Sequence, residues 1–318
     1  MPQISNKMKT AFCCVLVLII SYFTYFHNYY KPAKAFYSEY YYIIDAERYV
    51  HRMVSFGVNP PLAKMFMALG EVIFNPNKNI DMKGYLNKIS VFSETIGGFS
   101  FVGVRFFPSL FGFLNGLLIF LIFYRLSKNR LLSLMFSSLY LFENSSIVHF
   151  RSAMLDSTLV FFSFLTILYF IYLYEKKKER TFINYFVFGC LTGLAISTKM
   201  VGFILTLLFV ALYIKEYAPD TLINRIKKLF KLFIVYLSGL CVVFFTVYYI
   251  HVALGSNIIL KPLYINKNTQ VMEHDVNGKS KLGASKEYIE MIKNKDVYNP
   301  LKLYIPMRDY FHYMAVAQ

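Results

Sequence analysis

Residues 103–124 read GVRFFPSLFGFLNGLLIFLIFY, with Arg105 as the one charge. As a helix this run is about 33 Å long at ~1.5 Å per residue, enough to cross a hydrocarbon core of about 30 Å. Working outward, further apolar runs occupy 10–29, 131–147, 157–174, 182–198, 200–215 and 230–252. Seven runs of this kind predict an all-α polytopic membrane protein. The whole chain agrees: 57% of its 318 residues are hydrophobic and 19% aromatic, too apolar for an ordinary soluble domain.

The net charge is +16, which in a soluble chain would hint at nucleic acid. The basic residues instead cluster in short connections: Arg125, Lys128 and Arg130; then Lys176, Lys177, Lys178 and Arg180; then Lys215, Arg225, Lys227, Lys228 and Lys231. The opposite short connections hold only Arg151 and Lys199. By the positive-inside rule the N-terminus is cytoplasmic, and residues 30–102 and 253–318 lie outside. With no nucleic-acid-binding motif, a nucleic-acid partner is excluded. Chain size and the lack of a retention signal favour a bacterial inner membrane over an endoplasmic reticulum membrane. Cys13, Cys14, Cys190 and Cys241 sit in apolar runs without zinc spacing and read as small buried residues. The first run follows Lys7 and Lys9, lacks a small-x-small cleavage site, and reads as an uncleaved span.

The domain division is a transmembrane region, 1–252, and an outer segment, 253–318. Loop 30–102 is too long for a plain connector, and such loops usually carry function. Two short helices are expected in it: 45–54, with Asp45 at its start, and 61–74, opened by Pro60 and Pro61. The second is apolar apart from Lys64 and Glu71 and is expected to lie in the membrane interface. In the outer segment, Gly278–Lys286 reads as flexible, and aromatic content rises again from Tyr298 to Tyr313.

Charges near bilayer depth are costly and mark functional sites by default. Asp45, Glu47, Arg105, Glu143, Arg151, Asp156 and Lys199 all fall on the outer side of this topology. Asp45 suits a group that orients or deprotonates an acceptor hydroxyl; equally, it suits a helix N-cap. Glu47 and His51 share a helix face, which gives half a metal site or a surface ion pair. Arg105 suits a phosphate leaving group or a snorkelling helix end. Arg151 and Asp156 can pair with each other. Lys199, between two apolar runs, meets an anion or reaches headgroups.

Five blocks in order resemble the protein O-mannosyltransferase family, the dolichyl-phosphate-mannose–protein mannosyltransferases of the GT-C membrane fold. They are Asp45-Ala46; Asn59-Pro60-Pro61-Leu62-Ala63-Lys64; Val104–Gly112 with Arg105; Glu143-Asn144 followed by Arg151–Ser157 with Asp156; and Gly193–Gly202 with Ser197-Thr198-Lys199. The resemblance implies a GT-C bundle whose large first outer loop carries interfacial helices. It implies an inverting transfer of mannose from a polyprenyl or dolichyl phosphate to protein Ser or Thr hydroxyls. Asp45, with Glu47, maps to the catalytic position, and Arg105, Arg151 and Lys199 to the donor phosphate. Asn59, Pro60, Pro61, Lys64, Glu143 and Asp156 support the site. No metal and no cofactor beyond the lipid-linked sugar is expected, and the assembly expected is a homo- or heterodimer. Ala46 stands where the family has Glu, Asn59 where it has His and Met200 where it has Trp. The Asp45–Tyr49 pattern also resembles the sister family that moves aminoarabinose onto lipid A, so a lipid or glycan acceptor is the alternative, as is an inactive partner subunit. Relative to the family pattern the second outer segment is expected to be incomplete.

Overall fold

The computed structural model of the chain describes residues 6–36, 38–82, 86, 97–176, 180–217, 222–257, 273–276, 279–282 and 284–316. The helices are α1 (Asn6–Ser21, running on into a π turn, Tyr22–Phe26), α2 (Glu39–Val50), α3 (Leu62–Phe74) and α4 (Val102–Ser127). Then come α5 (Arg130–Leu141), α6 (Asn144–Arg151), α7 (Asp156–Glu175) and α8 (Phe182–Ile196). A 3-10 turn (Met200–Leu205) leads into α9 (Thr206–Tyr217), followed by α10 (Leu222–Leu254), α11 (Lys286–Lys293) and α12 (Tyr304–Val316). A hairpin of β1 (Glu273–Val276) and β2 (Lys279–Leu282) pairs antiparallel, Glu273 opposite Leu282. Part of the stretch expected to be flexible, Gly278–Lys286, is thus strand, and Gly278 itself lies outside the described residues, as do Lys177 and Lys178.

The expected apolar runs fall on helices. Among the described residues, Asn6–Phe26, Val102–Ser127, Asp156–Glu175 and Ile226–Leu254 are long and apolar enough to cross a membrane. The pair α5 and α6, bent by 61°, makes a fifth if taken as one span. Of the seven expected spans, 182–198 and 200–215 correspond to shorter apolar helices, Phe182–Ile196 and Met200–Lys215. Two local causes act. Glu143 caps α6 and so breaks the run 131–147, accepting from Ser145 N at 2.9 Å and from Ser146 N. Lys199 is extended, with φ −150°, and separates the next two runs.

Two compact units divide the chain: Met1–Tyr29 with Phe107–Phe244, and Tyr30–Phe106 with Phe245–Gln318. The first buries small polar side chains among an apolar and aromatic core and exposes apolar ones. Ser133, Ser137, Thr166 and Thr192 are fully buried, whereas Leu131, Leu139 and Phe230 are about two-thirds exposed. In lipid, exposed apolar surface costs nothing, and helices associate through small residues and hydrogen bonds. Gly189 and Gly239 follow that rule: a Cβ at either would overlap main-chain atoms of the facing helix, at Tyr236 and Phe186 respectively. Asn115 Nδ2 donates to Ser157 O at 3.1 Å, joining α4 to α7.

The second unit holds the described residues of loop 30–102 and of 253–318. Its core joins Val252, Ala284, Tyr288, Met291, Ile292, Val297 and Ile305. Past α2 the chain turns at Arg52 (φ 58°), and Val54 N donates to Asn257 O at 2.9 Å while Asn257 N donates to Arg52 O at 2.8 Å. This bridge fixes the strand-like segment from which Ser55 projects.

Candidate active site

The candidate site lies in the second unit, on α2, on α3 and on α12. Helix α2 begins at Glu39, so Asp45 lies in its middle and caps nothing. The expected helix 45–54 is displaced toward the N-terminus: α2 begins at Glu39, whose Oε2 accepts Phe36 N at 2.8 Å. The position frees the Asp45 carboxylate for partners from three segments. Oδ1 accepts Ser55 Oγ at 2.8 Å and Arg48 Nη1 at 3.3 Å; Oδ2 accepts Lys64 Nζ at 3.2 Å.

Lys64 is 1% exposed, so its charge needs company. Besides Asp45 it meets the Tyr310 hydroxyl at 3.2 Å. That hydroxyl donates to Asn59 O at 2.6 Å, and Asn59 precedes Pro60 and Pro61, where α3 begins. Gly57 lies alongside: a Cβ there would overlap the Lys64 ammonium and come within 3.3 Å of Asp45 Oδ2. Tyr49 and His251 pack beneath, Tyr49 OH against His251 Nδ1 at 2.6 Å, with the Tyr310 ring edge-on to His251 at 4.8 Å.

Glu47 faces His51, as the spacing predicts, but from a buried position. Its carboxyl is 2% exposed, 3.8 Å from His51 Nε2, and its Oε1 has no hydrogen-bond partner. Burial, and then the charge of Glu71, push its pKa up to about 8, so it is mostly a neutral acid at pH 7. Glu71, on α3, is raised to about 7, first by burial, with the Asn77 amide pulling it back. Asn77 Nδ2 donates to Glu71 Oε1 at 2.6 Å. Helix α3 buries both its charges: Lys64 and Glu71 face in together with Leu62, Ala63, Met67 and Ala68, while Leu69, Val72 and Ile73 face out, the surface expected of a helix bedded in apolar surroundings. Among the described residues no group of three or more His, Cys, Asp or Glu is placed to hold a metal.

Arg105 departs most from expectation. It does not snorkel, being 2% exposed. Nε and Nη2 clamp Glu39 at 2.6 and 2.8 Å, Nη1 donates to Tyr30 O and Pro32 O, and Nη2 donates to Lys34 O. A guanidinium has five N–H donors, and all are engaged here. Phe101 covers its face at 4.1 Å.

The remaining sequence-picked residues belong to the first unit. Arg151 is not paired with Asp156; its terminal nitrogens donate to Thr24 O, His27 O and Asn28 O at 2.9–3.3 Å, closing the carbonyl end of the first span. Asp156 pairs instead with Lys199 at 2.7 Å, both about one-third exposed. Glu143 is the α6 cap described above. Sequence reasoning missed Glu39, Ser55, Gly57, Asn77 and Tyr310; the first four lie in loop 30–102 and Tyr310 in the aromatic stretch 298–313, regions already marked, but none of them was singled out.

A family model described as dolichyl-phosphate-mannose-protein mannosyltransferase matches residues 15–259. The chain is 28% identical over 204 residues to dolichyl-phosphate-mannose--protein mannosyltransferase 4 of Schizosaccharomyces pombe, covering 63% of this chain and 25% of the relative. Its fold matches a chain in the structure of the S. cerevisiae protein O-mannosyltransferase Pmt1-Pmt2 complex bound to the sugar donor. The TM-score is 0.69 at 18% identity, over 87% of this chain and 38% of that one. The chain therefore spans well under half the length of either relative.

Proposed function

The chain belongs to the dolichyl-phosphate-mannose-protein mannosyltransferase family, and on that premise we propose that it moves mannose from a polyprenyl or dolichyl phosphate to Ser or Thr hydroxyls of proteins. The acceptor oxygen attacks the anomeric carbon and its proton passes to the Asp45 carboxylate. The bond from that carbon to the phosphate oxygen breaks, the lipid phosphate leaving with the electron pair, so the anomeric configuration inverts. One observation carries this reading. In the loop that bears the family blocks, the Asp45 carboxylate is nearly buried and held by Ser55, Arg48 and Lys64. Oδ2, with a single donor, keeps a lone pair for the acceptor hydroxyl.

Glu47, a neutral acid with Oε1 unpartnered, is assigned a hydrogen bond to the acceptor side rather than a second base. Arg105, Arg151 and Lys199 all hold protein partners, Lys199 through Asp156, so none of the three is assigned the donor phosphate. The reaction runs on the outer face, periplasmic or lumenal, without a metal. Both relatives are yeast proteins, which supports an endoplasmic reticulum membrane over the bacterial one favoured by chain size. The paired state of the S. cerevisiae complex supports a heterodimer. A second reading, an inactive partner subunit, is favoured by Ala46, which removes the second carboxylate of the family pair.

The test is product analysis. The chain is incubated with synthetic polyprenyl-phosphate-mannose and a Ser/Thr peptide, and the product is read by mass spectrometry and NMR. Peptide-linked mannose of anomeric configuration opposite to the donor's is expected. Retained configuration, or mannose on lipid or glycan, would overturn the assignment. Transfer that starts only when a second family chain is added would establish the partner reading.

A further inference from the structure

We propose that Tyr310 is a positioning residue of this site: its hydroxyl holds Lys64 against Asp45 and ties the diproline loop to helix α12. The inference rests on the reading of Asp45 as the reacting carboxylate. It brings residues 284–316, to which the family blocks give no role, into the chemistry.

Lys64 Nζ lies 3.2 Å from Asp45 Oδ2 and 3.2 Å from the Tyr310 hydroxyl, so the ammonium bridges the two. The hydroxyl spends its own proton on Asn59 O at 2.6 Å. Burial first, and then the Asp45 charge, hold the Tyr310 pKa well above the usual value. It stays a phenol at any physiological pH, donating to the carbonyl and accepting from the ammonium. Packing alone does not require this. The ring already stacks on Phe56 at 6.1 Å and meets His251 and Tyr248 edge-on, contacts a phenylalanine would keep. What only the hydroxyl supplies is an acceptor for a lysine that is 1% exposed. Without it the ammonium loses a fixed partner and its place beside Oδ2. Gly57 bounds the same point from the other side, since any Cβ there displaces the ammonium.

The test is a double-mutant cycle on the full chain with Tyr310→Phe, Lys64→Met and the two combined, scored as kcat and donor KM for mannosyl transfer. Tyr310→Phe is expected to lower kcat roughly 10- to 100-fold, the scale of one hydrogen bond to a charged group, with donor KM unchanged. In the Lys64→Met background it should add almost nothing, because the two changes break one interaction. Gly57→Ala, which moves the ammonium and leaves Tyr310 intact, should reproduce the kcat loss. Losses that multiply, or a Gly57→Ala variant with wild-type kcat, would overturn the proposal. If the wild type transfers nothing, the mannosyltransferase reading falls, and the same cycle is scored by thermal unfolding in detergent. Coupled shifts there keep the Tyr310–Lys64 contact as the positioning device of the site; additive shifts overturn it.

Discussion

Arg105 directs its donors to one carboxylate and three main-chain carbonyls, and Glu39, its ionic partner, is 0% exposed. Removing the guanidinium would leave a buried carboxylate unpaired, a defect that costs about 3–5 kcal/mol. Arg105→Ala is therefore expected to lower the unfolding midpoint in detergent strongly. Arg105→Lys should recover little of it, since an ammonium cannot span the planar fork and the carbonyls together. A donor-phosphate role would instead raise donor KM and leave the midpoint alone, so thermal unfolding separates the two. That Arg105 stands out was legible from sequence, as the lone charge of an apolar run, though the run reads it as a phosphate ligand or a snorkelling helix end. Its partner was not legible, because Glu39 lies in a tyrosine-rich stretch without a motif and main-chain carbonyls carry no side-chain signature. Tyr310 was hidden for a similar reason. Its value lies in where α12 returns, 246 positions from Lys64 in sequence.

At the scale of the element, α2 and α3 carry two carboxyl groups that resist ionisation. The folded value for Glu47 is about 8 against an ordinary 4.5, and for Glu71 about 7. Between the unfolded and folded values the folded state binds more protons than the unfolded one, so stability falls as pH rises. The contribution is whole below about pH 4.5 and is lost by about pH 8. The melting temperature is thus expected to decline across that window, and Glu47→Gln, which stays neutral, should remove much of the slope. A profile that stayed flat, or rose, would contradict the buried neutral acid. The helices themselves were half legible. The diproline placed the start of α3 within a residue, since proline is tolerated at a helix start. Asp45 misplaced α2, because an Asp before a helical pattern reads as a cap, whereas the helix begins six residues earlier, at Glu39.

For the whole molecule, apolar runs and charge placement sufficed to give a helical membrane protein, and the family blocks between Asp45 and Gly202 gave the family. Breaks inside the bundle were less legible. A hydropathy pattern does not register that Glu143 turns to cap α6 or that Lys199 interrupts the runs on either side, so seven apolar runs yield four or five helices of spanning length among the described residues. Transfer that relies on Asp45 without a metal is expected to survive chelation with EDTA, read as an unchanged initial rate. Loss of turnover restored by a divalent ion would put a metal into the mechanism. The most direct measurement is the initial rate of mannose transfer from synthetic polyprenyl-phosphate-mannose to a Ser/Thr peptide, wild type beside Asp45→Asn, with donor binding and melting temperature taken on the same samples. The expected result is a rate lowered at least about 100-fold, in the range of general-base loss, while donor binding and folding persist. An Asp45→Asn chain that transfers mannose at the wild-type rate would contradict the assignment of this carboxylate as the centre of the site.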